Sequence, residues 1–426
     1  MQYNVFDEMN DRGLVYQTTD SEGLREHLQT PRAIYCGFDP TAPSLTVGNL
    51  VPILMLLRFQ QAGHTPVVVL GGATGLIGDP SGRSAERPIL DPNVLDENKR
   101  QQRSIFERLL EFRDGQSNSA IVLDNLDWLS KVSLIGALRD TGKFFSVNEM
   151  IQRDAIKDRL GRQQGISVTE FMYGVLQALD FQYLHAEHRV TVEIGGSDQW
   201  SNLLSGIDLV RRTSRSTVYG LTCPLVTKSD GTKFGKTESG PVWLTAERTS
   251  PYQFFQFFLN TPDAEVGKLL RLLTSLPLNE VQAVESGHSI DPGAREAQKV
   301  LAREVTTFVH GAAATREVEK ASAALFNGMV DTLPLALMTE VLAGVPRTSF
   351  SFQELSNAPV DAVDLLCLTS VCGSKREARE LLVAGAVNVN GKNISASDRI
   401  TPEQLLYGRF AAIRKGKRTW HLATWD

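Results

Sequence analysis

Pro66-Val67-Val68-Val69-Leu70-Gly71-Gly72-Ala73-Thr74-Gly75-Leu76-Ile77-Gly78-Asp79-Pro80 is the stretch that decides the fold. Its β-branched apolar run, 66–71, predicts a strand buried on both faces. A glycine-rich loop follows at once. Upstream, Ala33-Ile34-Tyr35-Cys36-Gly37-Phe38 reads as a second buried strand. It enters a loop of Asp, Pro, Thr and Ser, then Gly48 and a helix over 50–62. Further strands are predicted at 119–124 and 190–194, with helices over 92–112 and 130–141. Strands alternating with helices predict an α/β fold built on a parallel sheet.

Composition sets the outer bounds. The chain has 426 residues, 42% hydrophobic and 22% charged, which excludes a wholly disordered protein. Net charge is −5, so no global basic field attracts nucleic acid and any such site must be a local patch. The longest apolar stretch, Val51 to Leu57, contains Pro52 and is far short of the ~20 residues a membrane span needs. The acidic N-terminus lacks the apolar core of a secretory signal. Cys36, Cys223, Cys367 and Cys372 form no C-x-x-C pair, so no zinc site is expected and the cytoplasm is the simplest compartment.

Beyond residue 250 the strand pattern gives way to helical spacing, as at 264–276 and 293–309. Residues 329–359, with Pro334, Pro346 and Pro359, read as a linker. Structure returns over 360–426. Ser374 is placed to cap a helix running through Ala384, and Val387 to Lys392 reads as a strand entering an Asn390-Gly391 turn.

Four segments carry chemistry. The loops 35–49 and 71–87 follow predicted strands, where ligands of open α/β sheets bind, and their small residues let backbone N–H groups approach a phosphate. On a helix over 169–183, Tyr173, Gln177 and Asp180 share one face. Gly195-Gly196-Ser197-Asp198-Gln199 links a strand to a helix, and Asp198 suits a ribose hydroxyl pair. Lys233 and Lys236, set among glycines and hydroxyls, suit a polyphosphate that gains charge in a transition state. Each segment alone also has an ordinary reading as a turn or a solvated face.

In this order the motifs closely resemble the bacterial-type tyrosyl-tRNA synthetases. The matching stretches are Tyr-Cys-Gly-Phe-Asp-Pro-Thr-Ala at 35–42, Gly-Gly-Ala-Thr-Gly-Leu-Ile-Gly-Asp-Pro-Ser at 71–81, Gly-Gly-Ser-Asp-Gln-Trp at 195–200 and Lys-Phe-Gly-Lys-Thr at 233–237. The resemblance spans essentially the whole chain. It implies a Rossmann-type catalytic domain over 1–229. It further implies a mobile loop with an α-helical anticodon-recognition domain over 230–328, and a small S4-like α+β RNA-binding domain over 360–426. It implies tyrosine activation by ATP, with Mg2+ on the ATP, then transfer to tRNA(Tyr), by a homodimer.

The site residues that the resemblance implies follow motif by motif. Tyr35 and Asp180 would meet the substrate phenol. Asp79, Tyr173 and Gln177 would hold its α-ammonium group, with Gln199 and Asp39 near the α-carbon and the adenylate. Gly37, Gly48, Gly196 and Asp198 would line the nucleotide. Lys233, Lys236 and Thr237 would grip the pyrophosphate, assisted by Arg83 and Arg87. No metal ligand set is expected.

One element departs from the family. Where class I synthetases carry His-x-Gly-His, this chain has Thr46-Val47-Gly48-Asn49. The Asn49 amide still donates to a phosphate oxygen, whereas the Thr46 hydroxyl is shorter than an imidazole. The expectation is that Thr41, Arg83 and the two lysines share the missing role. On the RNA side, residues 360–426 hold ten Lys/Arg against seven Asp/Glu, a net +3 in an acidic chain. Lys375, Arg376 and Arg379 lie near one helix, and Arg414, Lys415, Lys417 and Arg418 form a run without acids, so together they form a candidate phosphate-binding face. Two other readings stay open: a paralogue serving a different acceptor, and an RNA-binding protein without catalysis.

Overall fold

The computed structural model describes all residues except 1–2, 82–89, 162–164, 228–230, 233, 238–239 and 417–418, and the side chains of 154, 155 and 158. Two compact units emerge: Met1–Ser250 with Gln256–Val309, and Pro251–Phe255 with His310–Asp426.

The first unit is built on a six-stranded sheet. Its strands are β1 (Gln17–Thr18), β2 (Ala33–Phe38), β3 (Thr65–Leu70), β4 (Ile121–Asp124), β5 (Val190–Gly196) and β6 (Tyr219–Cys223). They lie in the order β1-β6-β5-β2-β3-β4, with β1 antiparallel and the others parallel. The chain steps from β2 through β3 to β4 on one side, then returns to lay β5 and β6 on the other. The reversal between β2 and β5 is where ligands of such sheets bind. Val67, Val68 and Val69 are buried on both faces, as an apolar run in a parallel sheet requires.

Helices α1 (Leu50–Gln61), α2 (Pro92–Leu109), α3 (Val168–His188) and α4 (Trp200–Ser214) flank the sheet. Nearly every residue of α1 is buried, so it is a core helix and not an amphipathic surface one. Helix α2 props the loop after β2, through Asn98 Nδ2 donating to the Pro40 carbonyl and Gln102 Nε2 to that of Ala42. Farther along the chain are α5 (Asp263–Leu273), α6 (Leu278–Ile290) and α7 (Glu296–Asn327). Arg58 of α1 donates to the Thr274 carbonyl just past α5, placing a cation where the helix dipole favours one. Burial pulls the Arg58 guanidinium down to about 10. The expected segment 293–309 belongs to α7, which is interrupted at Gly311 (φ 85°, ψ 158°).

Two expectations need correction. Residues 130–141 do not form one helix. They form a turn of helix at Leu134–Gly136 and a wider turn at Ala137–Thr141. Their helical apolar spacing is real, but Leu134, Ile135 and Leu138 face outward, so no core contact regularises the segment. Residues 329–359, expected as a linker, carry a helix at Leu335–Val341, a strand β7 (Arg347–Phe350) and a further helical turn at Phe352–Asn357. The prolines mark element starts: Pro334 sits at the N-cap of the first helix, Pro346 precedes β7, and Pro359 precedes a short strand at Val360–Asp361.

The rest of the second unit contains α8 (Ala362–Leu368), α9 (Lys375–Val383), β8 (Val387–Val389), β9 (Lys392–Asn393), β10 (Phe410–Lys415) and β11 (Thr419–Trp425). The sheet runs β9-β8-β10-β11-β7, with β7 parallel to β11 and the other pairs antiparallel. Ser374 Oγ accepts the Glu377 N–H and caps α9 as expected. Asn390 and Gly391, at φ 51° and 78°, make the turn between β8 and β9. Leu365, Leu366, Ala378 and Leu382 pack with Val387, Ile413, Ala423 and Trp425 in one core.

Candidate active site

The loops beyond β2, β3 and β5 meet α3 around a cleft of about 750 Å³. Tyr35, Gly37, Asp39, Thr41, Thr46, Gly48 and Asn49 line it from β2 and its following loop. Asp79 enters from the loop after β3, Tyr173, Gln177 and Asp180 from α3, and Gly196, Asp198 and Gln199 from β5 onward. Lys236 closes one side. The three α3 residues reach one cavity because their spacing puts them on one helix face.

The deep end is a preset hydrogen-bond network. Asp180, 4% exposed, accepts from Asn125 Nδ2 at 2.9 Å and Trp128 Nε1 at 2.8 Å. Burial outweighs these donors and raises its carboxyl to about 8. Asn125 Oδ1 accepts the Ala73 N–H at 2.8 Å, which fixes the amide so that Nδ2 faces Asp180 and Thr74. Thr74 Oγ1 donates to Asp39 Oδ1 at 2.7 Å, and the Tyr173 hydroxyl donates to Asp39 Oδ2 at 2.9 Å. A chain of contacts therefore runs from Asp180 through Asn125 and Thr74 to Asp39 and Tyr173. Gly71 must lack a side chain here, since a Cβ would stand 2.0 Å from Asp39 Oδ1. Tyr35, 2% exposed, packs edge-on against Phe181 at 5.2 Å. Burial first, then the Glu193 carboxyl, holds its hydroxyl in the protonated state well above neutrality.

In the middle of the cleft, Asp79 Oδ2 accepts Gln199 Nε2 at 2.7 Å and Oδ1 accepts the Ser81 N–H at 2.9 Å. Asn202 Nδ2 donates to Gln199 Oε1 at 3.1 Å, so the Gln199 amide is oriented from both ends. Gln177 Nε2 donates to Glu193 Oε1 at 2.9 Å.

At the mouth, Thr46 N and Oγ1 both donate to Asn49 Oδ1, at 3.0 and 3.1 Å. A backbone N–H can only donate, so Asn49 must present its oxygen to Thr46 and its NH2 elsewhere. The Thr46 hydroxyl, itself in the cleft lining, is directed at Asn49. The loop is tied to the segment after Lys236 by the Val47 N–H donating to the Val242 carbonyl at 3.0 Å. Thr237 follows Lys236 in the same short strand, and its hydroxyl donates to the Gly240 carbonyl at 2.9 Å. Arg83, Arg87 and Lys233 lie outside the described residues, as do Lys417 and Arg418.

Asn125, Trp128, Thr74 and Glu193 are site residues that sequence reading missed. Asn125 had a usable signal: it directly follows the carboxyl end of β4, the position that selected the other loops.

In the second unit, Lys375 pairs with Asp364 at 2.6 Å and Arg376 with Glu380 at 2.9 Å, both in solvent. Lys415 pairs with Glu377 at 2.8 Å and donates to the Val371 carbonyl, and Arg414 lies over the Trp420 ring. Arg379 makes no ion pair among the described residues. Lys415 and Arg414 thus have structural partners, whereas Lys375 and Arg376 of α9 are held only by exposed pairs of small worth. Among the described residues there is no cluster of three or more metal-ligating side chains, and no helix is long and apolar enough to cross a membrane.

Comparison with known proteins agrees with this arrangement. Residues 27–327 match the family described as tRNA synthetases class I (W and Y), and residues 338–423 match the tyrosine–tRNA ligase SYY-like C-terminal domain. The tyrosine–tRNA ligase of Aliivibrio fischeri (strain MJ11) is 44% identical over 425 residues, covering 99% of this chain and 98% of that protein. That of Limosilactobacillus fermentum is 45% identical over 424 residues, with 99% of each covered. A C-terminally truncated mitochondrial tyrosyl-tRNA synthetase from Aspergillus nidulans superposes with a TM-score of 0.69 at 29% identity, over 76% of this chain and 95% of that one.

Proposed function

Because the chain belongs to the class I tRNA synthetases (W and Y) and is a tyrosine–tRNA ligase with ATP as a substrate, we propose that its cleft divides into a tyrosine end and a nucleotide end. Tyrosine enters with its phenol between Tyr35 and Asp180. Its α-ammonium group meets Asp79, Tyr173 and Gln177, with Asp79 supplying the charge. Asp198 takes the ribose hydroxyls of ATP, beside Gly37, Gly48 and Gly196. The tyrosine carboxylate attacks the α-phosphorus, the bond to pyrophosphate breaks, and Asn49 Nδ2, Thr41 and Lys236 stabilise the departing charge with Lys233, Arg83 and Arg87. Mg2+ accompanies the ATP and shields its polyphosphate. The 3'-terminal adenosine of tRNA(Tyr) then attacks the acyl carbon through a ribose hydroxyl and AMP leaves.

The observation that supports this reading is that the polar groups of both ends line one cleft at the switch point of the sheet. A buried carboxyl flanked by Tyr35 also explains the choice of substrate. Phenylalanine would leave the buried Tyr35 hydroxyl without the partner that the substrate phenol supplies and would forgo the contact with Asp180, and an unmatched buried group costs about 1–3 kcal/mol.

The finer organisation belongs to the same proposal. The helices of 251–327 are the anticodon-recognition candidate, and residues 360–426 form an S4-like RNA-binding domain whose phosphate face is Lys375, Arg376 and Arg379. Arg414 and Lys415 belong to the same candidate set, as do Lys417 and Arg418 by sequence. Exposed Leu134, Ile135, Leu138 and Val147 form an apolar surface that a second copy would cover in a homodimer. A cytoplasmic location fits the four free cysteines.

The test is tyrosine-dependent ATP–pyrophosphate exchange without tRNA, with phenylalanine as control. Exchange with tyrosine alone is expected. Silence from folded protein would overturn the assignment of the cleft.

A further inference from the structure

Glu193 is a buried acid that the reaction above does not use. It is 1% exposed and stands between Val192 and Ile194 in β5. It lies directly across from Tyr35 in the β2–β5 register. Its Oε1 accepts Gln177 Nε2 at 2.9 Å. Its Oε2 faces α4, where a Cβ on Gly206 would stand 3.2 Å away, with Phe181 closer still at 3.0 and 3.1 Å. Gln177 Oε1 is buried and has no hydrogen-bond partner.

The two ends of the Gln177 amide are chemically different, and which one faces the cleft decides what it can bind. A carboxylate only accepts, so Glu193 takes the NH2 end and leaves the carbonyl for the ligand. A carbonyl attracts an ammonium group, whereas an NH2 group repels it. We infer that Glu193 is a positioning residue for tyrosine: by holding Gln177 Nε2 it turns the Gln177 carbonyl into an acceptor for the substrate α-ammonium group. The inference rests on the assignment of Gln177 to the α-ammonium group. Burial raises the Glu193 carboxyl to about 7, partly countered by Gln177 and Tyr35.

Exchange kinetics and a double-mutant cycle test this in the full-length chain. Glu193→Leu should raise the tyrosine KM about tenfold or more, with the ATP KM and kcat changed less than threefold. Glu193→Gln keeps an acceptor oxygen and should recover most of the loss. Combining Glu193→Leu with Gln177→Ala should be no worse than Gln177→Ala alone, because the first residue acts through the second. Additive losses, or losses shared equally by the ATP KM, would overturn the inference. If Glu193→Leu does not fold, Glu193→Ala carries the cycle: a penalty that persists at full size after Gln177→Ala would overturn it equally. Failure of the underlying assignment looks different, since then Gln177→Ala itself leaves the tyrosine KM unchanged.

Discussion

The deep end of the cleft and its mouth solve different problems with different materials. At the deep end, Asp180, Asn125, Thr74, Asp39 and Tyr173 are joined by direct hydrogen bonds, on strand ends and on α3. Their geometry exists before any ligand arrives. At the mouth, the groups assigned to phosphate are separate donors on short elements: Asn49, set by Thr46 at the end of the helical turn Val47–Asn49, and the exposed Lys236 of the two-residue strand Lys236–Thr237. A buried network suits discrimination, because mismatched groups there have no water to turn to. Exposed cations suit a charge that develops and then departs.

This contrast orders the expected effects of substitution. The largest belongs to the mouth. Lys236→Ala should lower the rate of adenylate formation about 10²–10³-fold in single-turnover experiments, while the Kd for tyrosine stays within about threefold. Weakened tyrosine binding instead would show that the two ends are not separate. Next comes the deep end. Asp180→Asn replaces an acceptor with an amide beside two existing donors, and should cut kcat/KM for tyrosine about 10–100-fold while changing that for phenylalanine much less. Equal losses for both amino acids would mean that Asp180 supports the fold and not the choice of substrate.

The same contrast explains what could be read from the chain alone. Tyr173, Gln177 and Asp180 share a surface by helical spacing, while Asp79 and Asp198 join them through ordered motifs whose resemblance to a family implies one site. Asn125, Trp128 and Glu193 sit alone in their segments. Their importance arises from side-chain contacts across 55, 52 and 16 residues of chain respectively, and of the three only Asn125 has a local signal, its place after the carboxyl end of β4. Apolar spacing misled at 130–141 because Leu134 and Ile135 point outward. Prolines misled at 329–359 because they open elements there, and β7 finds its partner in the last strand, far along the chain.

A smaller effect tests how Thr46 serves the mouth. Its hydroxyl and N–H both hold Asn49 Oδ1, and the N–H bond survives removal of the hydroxyl. Thr46→Val should therefore slow adenylate formation only about three- to tenfold, an effect of the size expected for one lost neutral hydrogen bond. Asn49→Ala should cost more, and adding Thr46→Val to it should cost almost nothing further. Independent, additive losses would return the Thr46 hydroxyl to direct contact with phosphate.

The smallest effect concerns stability and separates the deep end from the mouth without substrate. Burial raises Asp180 to about 8 and Glu193 to about 7, from ordinary values of 3.8 and 4.5. The folded protein therefore binds more protons than the unfolded chain between these limits. Stability from these groups is full below pH 4 and is lost as pH rises through 7 and 8. Glu193→Gln removes one of the two titrations and retains the other. Its melting temperature relative to the unsubstituted protein should climb by roughly 2 °C or more between pH 5 and pH 8.5 in thermal scans. Lys236→Ala, at the exposed mouth, should show a constant difference over the same range. A flat difference for Glu193→Gln would mean that its carboxyl does not titrate in this window. The fixed polarity of the deep end would then owe nothing to a buried acid held near neutrality.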